Sequence, residues 1–227
     1  LSGDANPLCE MWSQQETGAT MVNRGQGIGL AVAAAILWGL ATPAAAGEAQ
    51  QQLYASLGDI TRAPIGWVEF CNDSPKECGG GATQPRDIVM TPDTWRDLLK
   101  VNRWVNETIK PMTDKEHWGV VEKWSLPTDG YGDCEDYVLL KRKMLIDAGW
   151  PREALLVTVV RDKQGDGHAV LTVKTDKGEF ILDNQNEDVV AWTQTGYRFM
   201  KRQSQSDPNV WVALDDNHPA VATASSR

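Results

Sequence analysis

The sequence predicts an α+β fold with N-terminal helices packed on an antiparallel β-sheet. Two observations lead to this prediction. Apolar residues recur at helical spacing only before about residue 150. The segments that follow are short β-prone runs separated by turn residues. Helices first and strands afterwards are typical of α+β domains.

Length and composition fit one globular domain. The chain has 227 residues, of which 41% are hydrophobic and 23% are charged. Its formal net charge of -9 argues against a nucleic-acid partner, because contacts with phosphate groups need a basic surface.

The N-terminal part has the pattern of a targeting segment. Met21 is followed by Arg24 in a short positive region, then by an apolar run at 28–40 and small residues at 44–46. This order is typical of a secretory signal peptide with its cleavage site. The apolar run is shorter than the about 20 residues that a membrane span needs.

We therefore expect a bacterial protein that is periplasmic or secreted, without membrane insertion of the mature chain. An uncleaved N-terminal anchor is the alternative. The predicted organisation is an extension from a misassigned upstream start at 1–20, a signal peptide at 21–46, a single domain at 47–215 and a disordered tail at 216–227.

The cysteines divide into a pair and a candidate functional residue. Cys9 falls in the predicted extension, while Cys71 and Cys78 bracket a polar turn. In an oxidising compartment we expect these two to form a disulfide. A zinc site is the alternative, but a second close pair of ligands is missing from the sequence. Cys134 is the remaining cysteine of the mature chain.

Two helices are predicted before the sheet. Thr91 and Pro92 suit a helix start, and Pro111 ends the first apolar pattern (Leu98, Val101, Val105 and Ile109). The second helix should begin near Asp133 and end at Gly149. Its predicted buried stripe consists of Tyr137, Leu140, Met144 and Ala148.

Three strands are predicted at 155–161, 168–174 and 179–183, with turns between them. The aromatic residues of the C-terminal part indicate one or two further strands (Trp192, Tyr197, Phe199 and Trp211).

The pattern Cys134, His168, Asp183 points to nucleophilic catalysis. A cysteine at a helix N-terminus gains thiolate stability from unpaired N–H groups and the helix dipole. Cys134 would attack a carbonyl carbon, His168 would move the proton and Asp183 would orient the imidazole. A buried cysteine is also common as a small apolar residue. His117 is the alternative base, and the Trp124 indole is a candidate oxyanion donor.

The spacing of His168 and Asp183 allows a geometric expectation. If the turn at 175–178 closes through a two-residue or four-residue loop, the two residues share one face of the hairpin and can meet. A three-residue loop without a bulge would put them on opposite faces.

Three acids surround the cysteine at Asp133, Glu135 and Asp136. Carboxylates in the first turn of a helix are favourable through the dipole alone. In an exported protein they also suit a hard cation with oxygen ligands, and we expect Ca²⁺.

The segment GDCEDY, followed by Lys141 and Arg142 and then by GHAVLTV and ILDNQ, resembles the bacterial transglutaminase-like cysteine proteinase family, which includes LapG-type periplasmic proteases. The resemblance covers most of the mature chain and implies a papain-like, transglutaminase-type fold. It implies that Cys134, His168 and Asp183 are the nucleophile, base and orienting acid. It further implies that the acids beside the nucleophile bind calcium.

LapG-type members cut a surface adhesin and so control biofilm retention, and a membrane-bound regulator restrains their activity. This chain departs from them in its compact size and in the Cys71 and Cys78 element, so the adhesin is not carried over. The sequence predicts an exported cysteine endopeptidase acting on a protein substrate, such as a cell-surface or secreted protein. The alternatives are a transglutaminase or other acyltransferase using the same triad, and a non-enzymatic calcium-dependent binding module.

Overall fold

The computed structural model describes residues 53–79 and 81–215. The predicted extension at 1–20, signal peptide at 21–46 and tail at 216–227 lie outside these residues. Within the described part of the chain, no helix combines the length and apolar character needed to cross a membrane.

The two predicted helices and the three strands that follow them are confirmed. Among the described residues, the structure adds a strand and two helices before residue 80, a four-residue helix and two two-residue strands between the predicted helices, and three strands instead of one or two after residue 183. The helices are α1 (Ile65–Asp73), α2 (Pro75–Cys78), α3 (Pro92–Thr108), α4 (Asp114–His117) and α5 (Cys134–Asp147). The strands are β1 (Leu57–Thr61), β2 (Lys110–Pro111), β3 (Tyr131–Gly132), β4 (Leu155–Arg161), β5 (Gly167–Thr175), β6 (Gly178–Leu182), β7 (Val190–Ala191), β8 (Arg198–Gln203) and β9 (Trp211–Leu214).

The main sheet has seven strands in the order β1-β9-β8-β4-β5-β6-β7, and every neighbouring pair is antiparallel. The strand β1, which the sequence analysis did not predict, pairs with β9 and forms one edge of the sheet. A separate parallel pair joins β2 to β3 directly before α5.

The sheet separates two apolar clusters because side chains alternate between its faces. The helical side buries residues such as Ala169 and Leu171 of β5 against Trp67 and Val138. The other side buries Val170 with aromatic side chains of the C-terminal part, including Tyr197 and Phe199.

The helix α5 is buried more completely than the predicted stripe implies. Tyr137 of that stripe is buried, but Leu140 and Met144 are only partly buried and Ala148 is exposed. The prediction of the main buried face was therefore wrong in part. The cause is that α5 lies between the sheet and α3, so Val138, Leu139 and Leu145 fill the main core while the predicted stripe packs in a smaller cluster with α3.

The disulfide predicted between Cys71 and Cys78 is confirmed, with Cα atoms 5.5 Å apart. The buried side chain of Arg142 in α5 donates from Nε to the carbonyl of Leu155 at 3.0 Å and from Nη1 to that of Glu77 at 3.5 Å. This guanidinium therefore connects the disulfide element to β4, the central strand of the sheet.

Candidate active site

Cys134 is the first residue of α5, and its side chain is wholly buried. The preceding segment is held in place by the pairing of β2 with β3, in which Met112 N–H donates to the carbonyl of Gly132 at 3.0 Å. Gly132 is needed for close packing, since a Cβ there would lie 2.6 Å from Asp136 Oδ2. The backbone thus presents Cys134 at the positive end of a 14-residue helix.

His168 and Asp183 lie within hydrogen-bond distance, which is the outcome that the hairpin argument gives for a two-residue turn. The turn at 176–177 has two residues, because Thr175 pairs with Gly178. The two side chains therefore share one face, and His168 Nε2 lies 2.8 Å from Asp183 Oδ1. The imidazole is wholly buried and the carboxylate is nearly so.

The carboxylate of Asp183 is held by further donors. Tyr197 Oη–H donates to its Oδ2 at 2.6 Å, and the N–H of Gln185 donates to its Oδ1 at 2.9 Å. Burial alone would raise the pKa of Asp183, but the attraction of His168 and these hydrogen bonds outweigh it and leave the pKa lowered. The structure therefore favours an ionised Asp183 beside the imidazole.

Tyr197 is a site residue that the sequence analysis did not identify. Its ring meets that of His168 edge-on, with centroids 5.6 Å apart. Burial, then the charge of Asp183, raises the pKa of Tyr197, so its hydroxyl stays a donor. No local sequence pattern indicates this role, because Tyr197 lies on a loop 14 residues after Asp183.

The face of α5 that carries Cys134 also carries a buried lysine. Lys141 follows Cys134 by seven residues, which places both on one helix face. Its ammonium is wholly buried. Burial lowers the pKa of Lys141 to about 7, and the opposing influence is attraction to Asp183. Cys134 itself packs in the core cluster on the helical side of the sheet.

The two alternative candidates have other partners. His117 Nε2 lies 2.7 Å from Asp129 Oδ2, and its ring stacks on Trp118. The Trp124 indole N–H donates to Glu122 Oε1 at 2.5 Å. Asp183 thus pairs with His168 and not with His117, and the indole offered as an oxyanion donor points to a carboxylate.

The three acids beside Cys134 are all buried. Glu135 Oε2 lies 3.1 Å from Cys134 Sγ, and Asp136 Oδ1 accepts from Ser125 N–H at 2.8 Å. Their second oxygens have no hydrogen-bond partner among the described residues, and the same is true of Asp133 Oδ1. Three inward carboxylate oxygens that lack donors are the ligands expected around a cation.

Two further acids complete this cluster, and the sequence analysis did not assign them as ligands. Asp114 is the first residue of α4, and Glu122 lies in the loop that follows this helix. Carboxylate oxygens of Asp114, Glu122 and Glu135 lie within 4.8 Å of one another, and so do those of Asp114, Asp133 and Asp136. We call these five residues the acidic cluster.

Burial and mutual repulsion raise the pKa values of the carboxyl groups in the acidic cluster. Burial, followed by the charge of Asp114, raises the pKa of Asp133 to about 7. Burial raises the pKa of Glu122 to about 8 and those of Glu135 and Asp136 well above their ordinary values. A bound cation would remove this repulsion.

Comparison with known proteins identifies the family of this chain. The model of the bacterial transglutaminase-like cysteine proteinase family matches residues 57–219. A comparison with curated proteins gives no match.

Among solved structures, Legionella pneumophila LapG matches at 24% identity and a TM-score of 0.46, covering 55% of this chain and 71% of that chain. Its calcium-bound form matches at 22% and 0.47, covering 60% and 77%. Its EGTA-treated form matches at 23% and 0.46, covering 57% and 74%. Because the family model spans well over half of the sequence, this chain belongs to the bacterial transglutaminase-like cysteine proteinase family and is a cysteine peptidase with the α+β fold of that family.

Proposed function

We propose that this protein is an exported cysteine endopeptidase that hydrolyses peptide bonds of a protein substrate. Cys134 is the nucleophile, His168 the general base and Asp183 the orienting acid. The observation that carries the proposal is the buried hydrogen bond between His168 and Asp183, in which the carboxylate is kept ionised. An ionised acid behind an imidazole stabilises the imidazolium that forms when a thiol loses its proton.

The orientation of the His168 ring gives its two nitrogens different roles in the proposed mechanism. Nε2 is engaged by Asp183, so Nδ1 is the nitrogen that would face the thiol. His168 is the second residue of β5 and shares its sheet face with Tyr197, whereas Cys134 packs on the helical side. The proposal requires the thiol and the imidazole to meet beyond the start of β5, where the sheet no longer separates them.

The reaction follows from these positions. Cys134 Sγ attacks the peptide carbonyl carbon while its proton passes to His168. The imidazolium then protonates the leaving amine, and the C–N bond breaks to leave a thioester on Cys134. Water, deprotonated by His168, attacks the thioester and releases the acid with the thiol restored. The N–H of Cys134 at the helix start would donate to the oxyanion.

We further propose that the acidic cluster binds Ca²⁺ through Asp133, Glu135 and Asp136, with Asp114 from α4 and Glu122 from the loop after that helix. The unpaired buried oxygens support this assignment, and hard carboxylate donors suit calcium. When bound, the ion would neutralise acids that otherwise disfavour a thiolate at Cys134. The calcium-bound form among the LapG structures is consistent with it.

The test compares secreted and cell-surface proteins from a deletion strain carrying wild-type or variant protein, with a reductant present in the assay. A fragment seen with wild type but not with Cys134→Ala or His168→Gln is expected. His117→Gln is the matched histidine control and should cleave normally. Cleavage that persists in Cys134→Ala would overturn the proposal.

Two added arms separate the alternatives. Stable incorporation of a labelled primary amine into protein, in place of fragment release, would identify an acyltransferase. A phenotype that Cys134→Ala leaves intact would identify a binding module.

The calcium proposal has its own test. EGTA should stop cleavage and added Ca²⁺ should restore it. Glu135→Gln should weaken this response to Ca²⁺, whereas Glu107→Gln, on the exposed surface of α3, is the control and should not.

A further inference from the structure

The helix α3 contacts both halves of the candidate site through hydrogen bonds that the triad itself does not require. Asn102, on its inner face, is wholly buried. Asn106, one turn later, is partly buried. Both amides point at the loop that follows β6 and carries Asp183.

The side chain of Asn102 uses both ends of its amide. Its Oδ1 accepts from the N–H of Asp183 at 3.1 Å, and its Nδ2 donates to the carbonyls of Asn186 and Glu187, both at 3.0 Å. Only this orientation matches one donor and two acceptors on the loop, so the amide is specific for this backbone conformation. Asn106 Nδ2 adds a bond to the carbonyl of Asp183 at 2.8 Å.

The other end of the same helix holds the Cys134 segment. The carbonyl of Ile109, directly after α3, accepts from Tyr137 Oη–H at 2.7 Å. The next residue, Lys110, opens β2 and donates its N–H to the carbonyl of Gly130 at 2.9 Å. Asn102 and Ile109 are seven residues apart, about 10 Å along a helix.

We propose that α3 and β2 form an alignment element that sets the spacing between the Cys134 segment and the Asp183 loop, with Asn102 as its positioning residue. The helix is stiff because a capping box of Thr91 and Thr94 closes its start and its apolar face packs on α5. Removing the amide leaves the buried N–H of Asp183 unpaired, so the loop loses a bond that fixes its backbone and the carboxylate is held less firmly against the imidazole. That this affects catalysis rests on the proposed function.

The test follows two signals that need no substrate. One is amide hydrogen exchange at Asp183. The other is the low-field ¹H resonance of the His168 ring proton hydrogen-bonded to Asp183, assigned with His168→Gln. In Asn102→Ala we expect exchange at Asp183 to accelerate on the order of tenfold and the ring-proton resonance to broaden or disappear.

The control is Leu98→Ala, on the same helix and wholly buried. It should lower the melting temperature but leave both signals as in wild type. If Asn102→Ala does not fold, Asn106→Ala removes one bond to the same loop and should show the same changes more weakly. Wild-type exchange and an intact resonance in the folded Asn variants would overturn the proposal. Because neither signal involves cleavage, this result is separate from the Cys134→Ala test.

Discussion

The buried lysine of α5 gives the sharpest prediction. Lys141 is wholly buried, and its Nζ has no hydrogen-bond partner among the described residues. This Nζ lies over the Tyr137 ring, 5.9 Å from the ring centroid. An ammonium in such a position costs free energy, because the attraction of Asp183 offsets only part of its lost hydration. We predict that Lys141→Met stabilises the fold.

The magnitude follows from the pKa. Burial lowers the pKa of Lys141 from its ordinary 10.5 to about 7. At about 1.4 kcal/mol for each tenfold change in proton affinity, the charged form destabilises the native state by about 5 kcal/mol. Below about pH 7 the lysine is charged in both states and the whole cost is present. Between about pH 7 and 10.5 only the unfolded chain keeps the proton, so wild-type stability rises with pH.

The assay is urea unfolding of wild type and Lys141→Met from pH 6 to pH 10, with the disulfide intact. The variant should be more stable by about 5 kcal/mol at pH 6, and the difference should shrink steadily as the pH rises. Lys143→Met is the matched control, since Lys143 reaches solvent and lies next to Asp147. Its effect should be small and nearly constant. A Lys141→Met difference that does not change with pH would refute the reasoning.

Three other predictions concern the site. After EGTA treatment, Ca²⁺ at a hundred times its dissociation constant should stabilise wild type by about 2.7 kcal/mol in a thermal unfolding scan, and Glu135→Gln should lose most of this gain; a wild type that does not respond would contradict the cluster assignment. Tyr197→Phe removes the donor to Asp183 Oδ2 and should lower the free energy of unfolding by about 1–3 kcal/mol in urea, so an unchanged midpoint would count against that bond. Gly132→Ala would place a methyl group 2.6 Å from Asp136 Oδ2 and should cost about 1–3 kcal/mol while weakening the calcium response; wild-type stability would show that the contact relaxes freely.

The sequence predicted the parts of the site that depend on short-range stereochemistry. The start of α5 at Cys134 follows from local helix signals. For His168 and Asp183 the sequence predicted a shared face on the condition that the turn has two or four residues, and the structure supplies the two-residue turn. The acids at Asp133, Glu135 and Asp136 were visible for the same reason, since they are neighbours of the cysteine in the chain.

The tertiary structure alone decided which distant groups complete these parts. Tyr197 donates to Asp183, Asn102 holds the Asp183 loop, and Asp114 joins the acidic cluster from before α5. Hydrogen bonds and charge clusters between distant segments depend on how α3, α5 and the sheet pack. That packing produces no periodic pattern in the sequence from which it could be predicted. The same packing buried Lys141 on a helix whose local pattern gave no reason to expect an enclosed charge.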